Sequence, residues 1–243
     1  MKPAEAYSFR RSLPSPVAPH PYDHLLSETR RERYRQVLAR RTLRLSVVVD
    51  NCYDAHNASA VIRTCDAFGV HRVSVITSRN SFKVNRQVTQ GAHLYTDLRV
   101  YSRVEPLYAD LRAEGFRILV ADLGADAVVD PHALAGEAQR QRLALVFGNE
   151  EGGASPDAIA QADGRFLIPM CGFTQSLNLS VSVAVTLFSL RHRALAEVSP
   201  GDMSGEEQAA WYDRWARRRT REEGLDPARP RIDRRGADID TYQ

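Results

Sequence analysis

The chain has 243 residues, 43% of them hydrophobic and 26% charged, with 14 glycines, 12 prolines and a formal net charge of +3. That length fits one large domain with appendages, long enough to bury a core without disulfide staples. The composition excludes a collagen, a low-complexity chain and a wholly disordered protein, and no apolar run approaches the roughly 18 residues of a membrane span.

Residues 1–26 form a proline-rich leader, expected to be extended: five of the twelve prolines fall in the first 22 positions. Its polarity excludes a signal peptide. A basic helix is predicted over 27–44, opening at Ser27 with Tyr34, Val37 and Leu38 on one face. Its other face carries Arg30, Arg31, Arg33, Arg35, Arg40 and Arg41. Charge is uneven along the chain, with a balance of +6 over residues 1–44, −2 over 45–199 and −1 over 200–243. Basic ends around a near-neutral middle fit anion-binding arms for a nucleic acid, or helices that merely solvate a surface.

The middle, 45–199, alternates apolar strand candidates with helical patterns. The strands are expected at Leu45–Val49, Val73–Ile76, Ile118–Ala121, Leu143–Phe147 and Phe166–Ile168. Helices are expected at Ala58–Phe68, Val104–Glu114, Pro156–Ala162 and Ser176–Ala196. Buried-type strands alternating with helices predict an α/β fold, a mostly parallel sheet with helices on both faces. A basic C-terminal helix follows over 200–223, bearing Trp211, Tyr212 and Trp215. The Arg/Asp-rich tail 224–243 has too little apolar content to fold. The aromatic side chains can pack the helix on the core or stack on exposed bases. Cys52, Cys65 and Cys171 form no Cys-x-x-Cys pair; they read as reduced thiols of a cytoplasmic protein, with no metal site.

Three segments of the middle carry candidate chemistry. The first is His56-Asn57-Ala58-Ser59-Ala60-Val61-Ile62-Arg63-Thr64-Cys65, an amphipathic helix for which Asn57 is a good N-cap and Gly69 a good C-cap. Its stripe is expected at positions 60, 61, 64, 65 and 68, with Arg63 off it. The second, Phe147-Gly148-Asn149-Glu150-Glu151-Gly152-Gly153, follows a buried strand where ligands of open α/β sheets sit. It can equally be a plain strand–turn–helix link. The third runs Ile168-Pro169-Met170-Cys171-Gly172 to Ser176-Leu177-Asn178-Leu179-Ser180. Its serines and asparagine are poor helix formers placed together at a helix start. Neither GxGxxG nor GxxxxGK[ST] occurs.

In this order and at these separations, N-x-S-A-x-x-R-T, F-G-N-E and I-P-M-x-G-x-x-x-S-L-N resemble the SPOUT superfamily of RNA methyltransferases, specifically the SpoU/TrmH class of 2′-O-ribose methylators. The resemblance spans about residues 28–220. The basic helices before and after the core resemble the branch that methylates the D-loop guanosine of tRNA, with ribosomal RNA and a catalytically silent RNA-binding relative as alternatives. It implies a C-terminal deep trefoil knot and S-adenosylmethionine as cofactor, held largely by backbone at Ala121, Leu123, Gly148, Asn149, Ile168, Met170 and Leu177. It implies a homodimer whose Arg63 faces the cofactor of the partner chain. Arg63, Asn57, Glu150, Ser176 and Asn178 would form the catalytic set, while Arg30, Arg33, Arg40, Arg41, Arg217 and Arg218 would bind tRNA. Arg63 matches the residue that the resemblance assigns to activation of the 2′-hydroxyl with help from a substrate phosphate. Arginine, with a pKa of roughly 12.5 or more, is a poor general base unaided, which favours positioning of phosphate and ribose by Arg63, with relay of the proton as the alternative role. One departure stands out: Glu151 occupies a place where that class often carries a lysine.

Overall fold

The computed structural model describes residues 13, 16–51, 54–77, 82–124, 131–196 and 201–222. Cys52 and the tail expected to be disordered lie outside them. The chain divides into two compact units, one of Arg41–Asp202 and one joining Met1–Arg40 to Met203–Gln243. Leader and terminal helices, expected as separate appendages, therefore belong to one unit.

The Arg41–Asp202 unit holds a six-stranded sheet. Its elements are β1 (Thr42–Val49), α2 (Ala55–Ala67), β2 (Val70–Ile76), α3 (Arg86–Thr89), β3 (Asp97–Tyr101), α4 (Val104–Ala113), β4 (Phe116–Ala121), α5 (Pro131–Arg140), β5 (Arg142–Phe147), α6 (Pro156–Ala160), β6 (Gly164–Phe166) and α7 (Leu179–Ala196). Strand order is β3-β2-β1-β5-β4-β6, and every pairing is parallel. Side chains alternate across a strand, so each strand feeds two layers. Leu45, Val47, Val49, Leu143, Leu145 and Phe147 meet α2 and α7 on one face. Val48, Ile118, Val120, Ala144 and Val146 meet Leu107, Tyr108 and Leu111 of α4 on the other. Each fully buried aliphatic side chain contributes about 1.5–3 kcal/mol. Parallel strands covered on both faces explain why these runs read as continuously apolar.

The boundaries differ from expectation for local reasons. β3 was not expected because Asp97 and Arg99 interrupt its apolar pattern; it is an edge strand whose Asp97 pairs with Arg72 of β2 at 3.2 Å. β6 ends at Phe166, its last residue paired with β4, so Leu167 and Ile168 leave the sheet. α7 starts at Leu179 rather than Ser176 because the Asn178 side chain accepts the Ser180 N–H at 2.9 Å, the bond of a helix cap. α2 is capped by Asp54, whose carboxylate accepts the His56 N–H, and not by Asn57. Its buried side is Ala58, Ser59, Val61, Ile62 and Cys65, rotated from the expected stripe. Gly69 closes the helix with φ +73°, the left-handed conformation a glycine tolerates best.

In the other unit, α1 (Glu28–Leu38) packs against α8 (Gly205–Glu222). Ser27 caps α1 by accepting the Arg30 N–H. Tyr212 and Trp215 are buried, and the Tyr34 ring lies 6.0 Å and 5.5 Å from theirs at steep angles. These aromatics pack α8 on α1. The leader is not wholly extended: Asp23–Leu25 form a 3-10 turn, and Asp23 accepts from Arg35 at 2.7 Å and from the Tyr212 hydroxyl. Among the described residues no helix is long and apolar enough to cross a membrane.

Candidate active site

A cleft of about 450 Å³ opens at the carboxyl ends of β4, β5 and β6, where Ala121, Phe147 and Phe166 line it. This is the end of a parallel sheet at which ligands bind. All seven residues expected to hold a cofactor, Ala121, Leu123, Gly148, Asn149, Ile168, Met170 and Leu177, line this cleft, as do Glu150 and Ser176. Asn57, Arg63 and Asn178 are not among the lining residues.

The loop after β5 is built by its own side chains. Asn149 is 8% exposed. Its Oδ1 accepts the N–H groups of Glu151 and Gly152 at 3.0 and 2.6 Å, and its Nδ2 donates to the Asn51 carbonyl at 3.2 Å. Its main chain pairs with Gly153 in both directions at 3.1 Å. Asn149 thus turns its polar groups inward and leaves loop backbone at the cleft wall. Gly148 is required by crowding: a Cβ there would lie 1.9 Å from both the Ala154 nitrogen and the Gly153 carbonyl carbon. Gly153, at φ +67°, closes the turn.

Asp50, at the end of β1, was not singled out in sequence. It is 1% exposed and accepts the Ser155 N–H at 2.7 Å, which fixes the N-terminus of α6 beneath the loop. The signal was present as an acidic residue ending the apolar run Val47-Val48-Val49. Next to it, Asn51 takes φ +54°, and its carbonyl is the one that anchors Asn149.

A polar chain links the three segments. The Asn57 amide donates to the Glu150 carboxylate, and its Oδ1 accepts from Asn178 Nδ2 at 3.5 Å. Asn178 also accepts from the Ser180 hydroxyl at 2.7 Å. Three of the five expected catalytic residues therefore meet, and Ser176 lies in the adjoining cleft wall. Arg63 is exposed further along α2, where Nη1 reaches the Val88 carbonyl at 3.5 Å. The same helix carries the buried Ser59, whose hydroxyl accepts the Asn85 N–H at 2.9 Å. Arg63 and Ser59 thus both hold the segment around α3.

Charge at the cleft is one-sided. Asp122, Glu150 and Glu151 line it, with no lysine, arginine or histidine among the described lining residues. Asp122 is paired with Arg165 at 3.0 Å.

Of the six arginines expected to meet RNA, Arg41 does not fit. It is 1% exposed and spends its guanidinium on Asp66 and on the Tyr95 carbonyl. A buried guanidinium with its charge matched inside the fold has nothing left for a phosphate. Arg40 donates to Gln36 at 2.7 and 2.9 Å, and partial burial first, then neighbouring Arg33, lower its pKa. Arg33 is exposed and Arg30 half-buried. Arg217 bonds Asp213 at 2.7 Å and Arg218 bonds Glu222 at 3.0 Å, both as i,i+4 surface pairs that a phosphate can compete with.

A model of the SpoU rRNA methylase family matches residues 44–188. A tRNA (guanosine(18)-2′-O)-methyltransferase of Thermus thermophilus is 35% identical over 173 residues, which cover 70% of this chain and 85% of that protein. One of Aquifex aeolicus is 31% identical over 201 residues, covering 80% and 92%. The crystal structure of the A. aeolicus TrmH/SpoU tRNA modifying enzyme superposes with a TM-score of 0.69 at 31% identity, over 78% of this chain and 95% of that one.

Proposed function

The chain belongs to the SpoU methylase family, and from that premise we propose that it methylates a ribose 2′-hydroxyl of tRNA, at the D-loop guanosine, using S-adenosylmethionine. The observation that carries this reading is the meeting of the three motif segments: the loops after β5 and β6 line one cleft together with the loop after β4, and Asn57 of α2, bonded to both Glu150 and Asn178, ties that helix to the first two.

The cleft fits such a cofactor. Its volume lies in the range of roughly 300–1,000 Å³ usual for small-molecule sites. Phe147, Ile159, Phe166 and Leu167 supply an apolar wall, and the loop backbones supply donors and acceptors beside it. When bound, the cofactor supplies an electrophilic methyl group on a sulfonium sulfur.

The protein's part is positioning. Asn149 and Gly148 hold the loop backbone at the cleft wall. The Asn57 amide fixes the Glu150 carboxylate, and Asn178 fixes Asn57 in turn. Arg63 donates to a phosphate and ribose of the substrate nucleotide, and the hydroxyl proton departs to solvent or to that phosphate. Arg63 does not line the cleft of its own chain, which agrees with the family arrangement in which it serves the cleft of a second copy. A homodimer also accounts for Val181 and Val185, 45% and 42% exposed, and Phe188, 59% exposed, which form one apolar stripe on α7. The trefoil knot is the reading of how three distant segments crowd one cleft. The thiols Cys65 and Cys171 suit a cytoplasmic setting.

The test is transfer of label from methyl-tritiated S-adenosylmethionine to total tRNA and, separately, to deproteinised ribosomal RNA, with the labelled nucleotide mapped. Label on a D-loop ribose supports the proposal, and label on ribosomal RNA alone overturns the substrate. Arg63→Ala is expected to lower kcat by about 10²-fold or more while cofactor affinity stays near wild type.

A further inference from the structure

Among the described lining residues the charges at the cleft wall are of one sign, and they are not equally available. Asp122 is matched by Arg165 at 3.0 Å, and Glu150 is occupied by the Asn57 amide. Glu151 is exposed, and its only described bond is the one from its own N–H to Asn149 Oδ1 at 3.0 Å. That bond, with the neighbouring one from Gly152 N–H at 2.6 Å, fixes where the Glu151 side chain leaves the loop. Among the described lining carboxylates, Glu151 is thus the one whose side chain has no hydrogen bond or ion pair to a described residue; the neutral Asn57 amide holds Glu150 in place without cancelling its charge.

Methyl transfer changes the charge of what the cleft holds. The methyl carbon passes from sulfur to the ribose oxygen, the C–S bonding pair stays on sulfur, and the hydroxyl proton leaves to solvent or to the substrate phosphate. S-adenosylmethionine, with a sulfonium, an ammonium and a carboxylate, has a net charge of +1; the thioether product has none. The shapes differ by one methyl group, so apolar packing separates them poorly. Charge is the larger difference between them.

We propose that Glu151 is a specificity-determining residue that favours the cationic methyl donor over the neutral thioether product, so that the product leaves the cleft after each turnover. The inference rests on the reading of this cleft as the cofactor site. An exposed carboxylate acts through screened electrostatics, so its effect is modest and falls with salt.

The test is isothermal titration of the full chain with S-adenosylmethionine and, separately, S-adenosylhomocysteine, at low and high salt, for wild type, Glu151→Gln and Glu151→Lys. Glu151→Gln is expected to narrow the donor-over-product preference about two- to five-fold, by weakening the donor and leaving the product within about twofold. Glu151→Lys should narrow it further, and salt should erode the preference in wild type more than in Glu151→Gln. A ratio unchanged across the three proteins, or donor and product affinities moving together, overturns the role of Glu151. Failure of wild type to bind either compound overturns the reading of the cleft itself.

Discussion

At the scale of single residues, the cleft wall depends on backbone lying where side chains cannot. Gly148 is the sharpest case, since any Cβ there meets the main chain of Gly153 and Ala154 at 1.9 Å. Backbone cannot yield as a flexible side-chain tip can, so Gly148→Ala must push the loop outward. The expected cost is about 1–3 kcal/mol of stability, with cofactor affinity reduced more than tenfold by loss of the loop geometry. Thermal unfolding and calorimetric titration read the two effects separately. A protein with both unchanged would show that the loop can open without consequence. Asn149 illustrates the limit of reading roles by type: it stands in a motif as a polar residue beside a ligand, yet the fold turns its side chain into the loop.

At the scale of elements, pairing between α1 and α8 rests on an ionisable group. Burial opposes the charge on Asp23, but the His20 amide, the Tyr212 hydroxyl and Arg35 outweigh it and hold its pKa below the usual carboxylate value. The opposite pressure falls on Tyr212, where burial first and the bond to Asp23 second raise the phenol's pKa. A carboxyl whose pKa is depressed in the folded state contributes stability that is complete above its unfolded pKa of about 3.9 and is lost as pH falls through the lower folded value. Asp23→Asn is therefore expected to cost about 1–3 kcal/mol at neutral pH and to flatten the acid side of the stability profile. Both tryptophans, Trp211 and Trp215, lie in α8, so their fluorescence on acid titration reports this unit. An acid limb as steep in the variant as in wild type would remove Asp23 as its source.

At the scale of the whole molecule, the proposed homodimer is tested at the stripe on α7. Large apolar side chains grouped on one helix face favour burial against a partner, and α7 buries Val183 and Leu187 while leaving Val181, Val185 and Phe188 at the surface. Val185→Asp places a charge in that stripe without touching the cleft. In sedimentation it is expected to convert a dimer to monomers, and methyl transfer should fall at least about tenfold because no partner Arg63 reaches the cleft. Full activity from a proven monomer would overturn the shared site.

The sequence alone was enough for the class of fold, because short continuously apolar runs, the mark of parallel strands buried on both faces, alternate with helical patterns, and that alternation survives without any long-range information. The resemblance of its motifs, rather than any periodicity, pointed to Gly148, Asn149, Ile168, Met170 and Leu177 as cofactor residues, and all five line the one cleft at the carboxyl ends of the strands. Tertiary structure alone decided which polar groups face each other. Arg41, just before β1, carries the same side chain as Arg33 on α1, yet one is sealed against Asp66 and the other exposed. Asp50 under the loop, Asn57 bonded to Glu150 instead of capping its helix, and Tyr34 between Tyr212 and Trp215 all depend on partners far away in the chain. Local propensity records what a residue prefers by itself; burial and pairing are set by neighbours that only the folded chain brings within hydrogen-bonding distance.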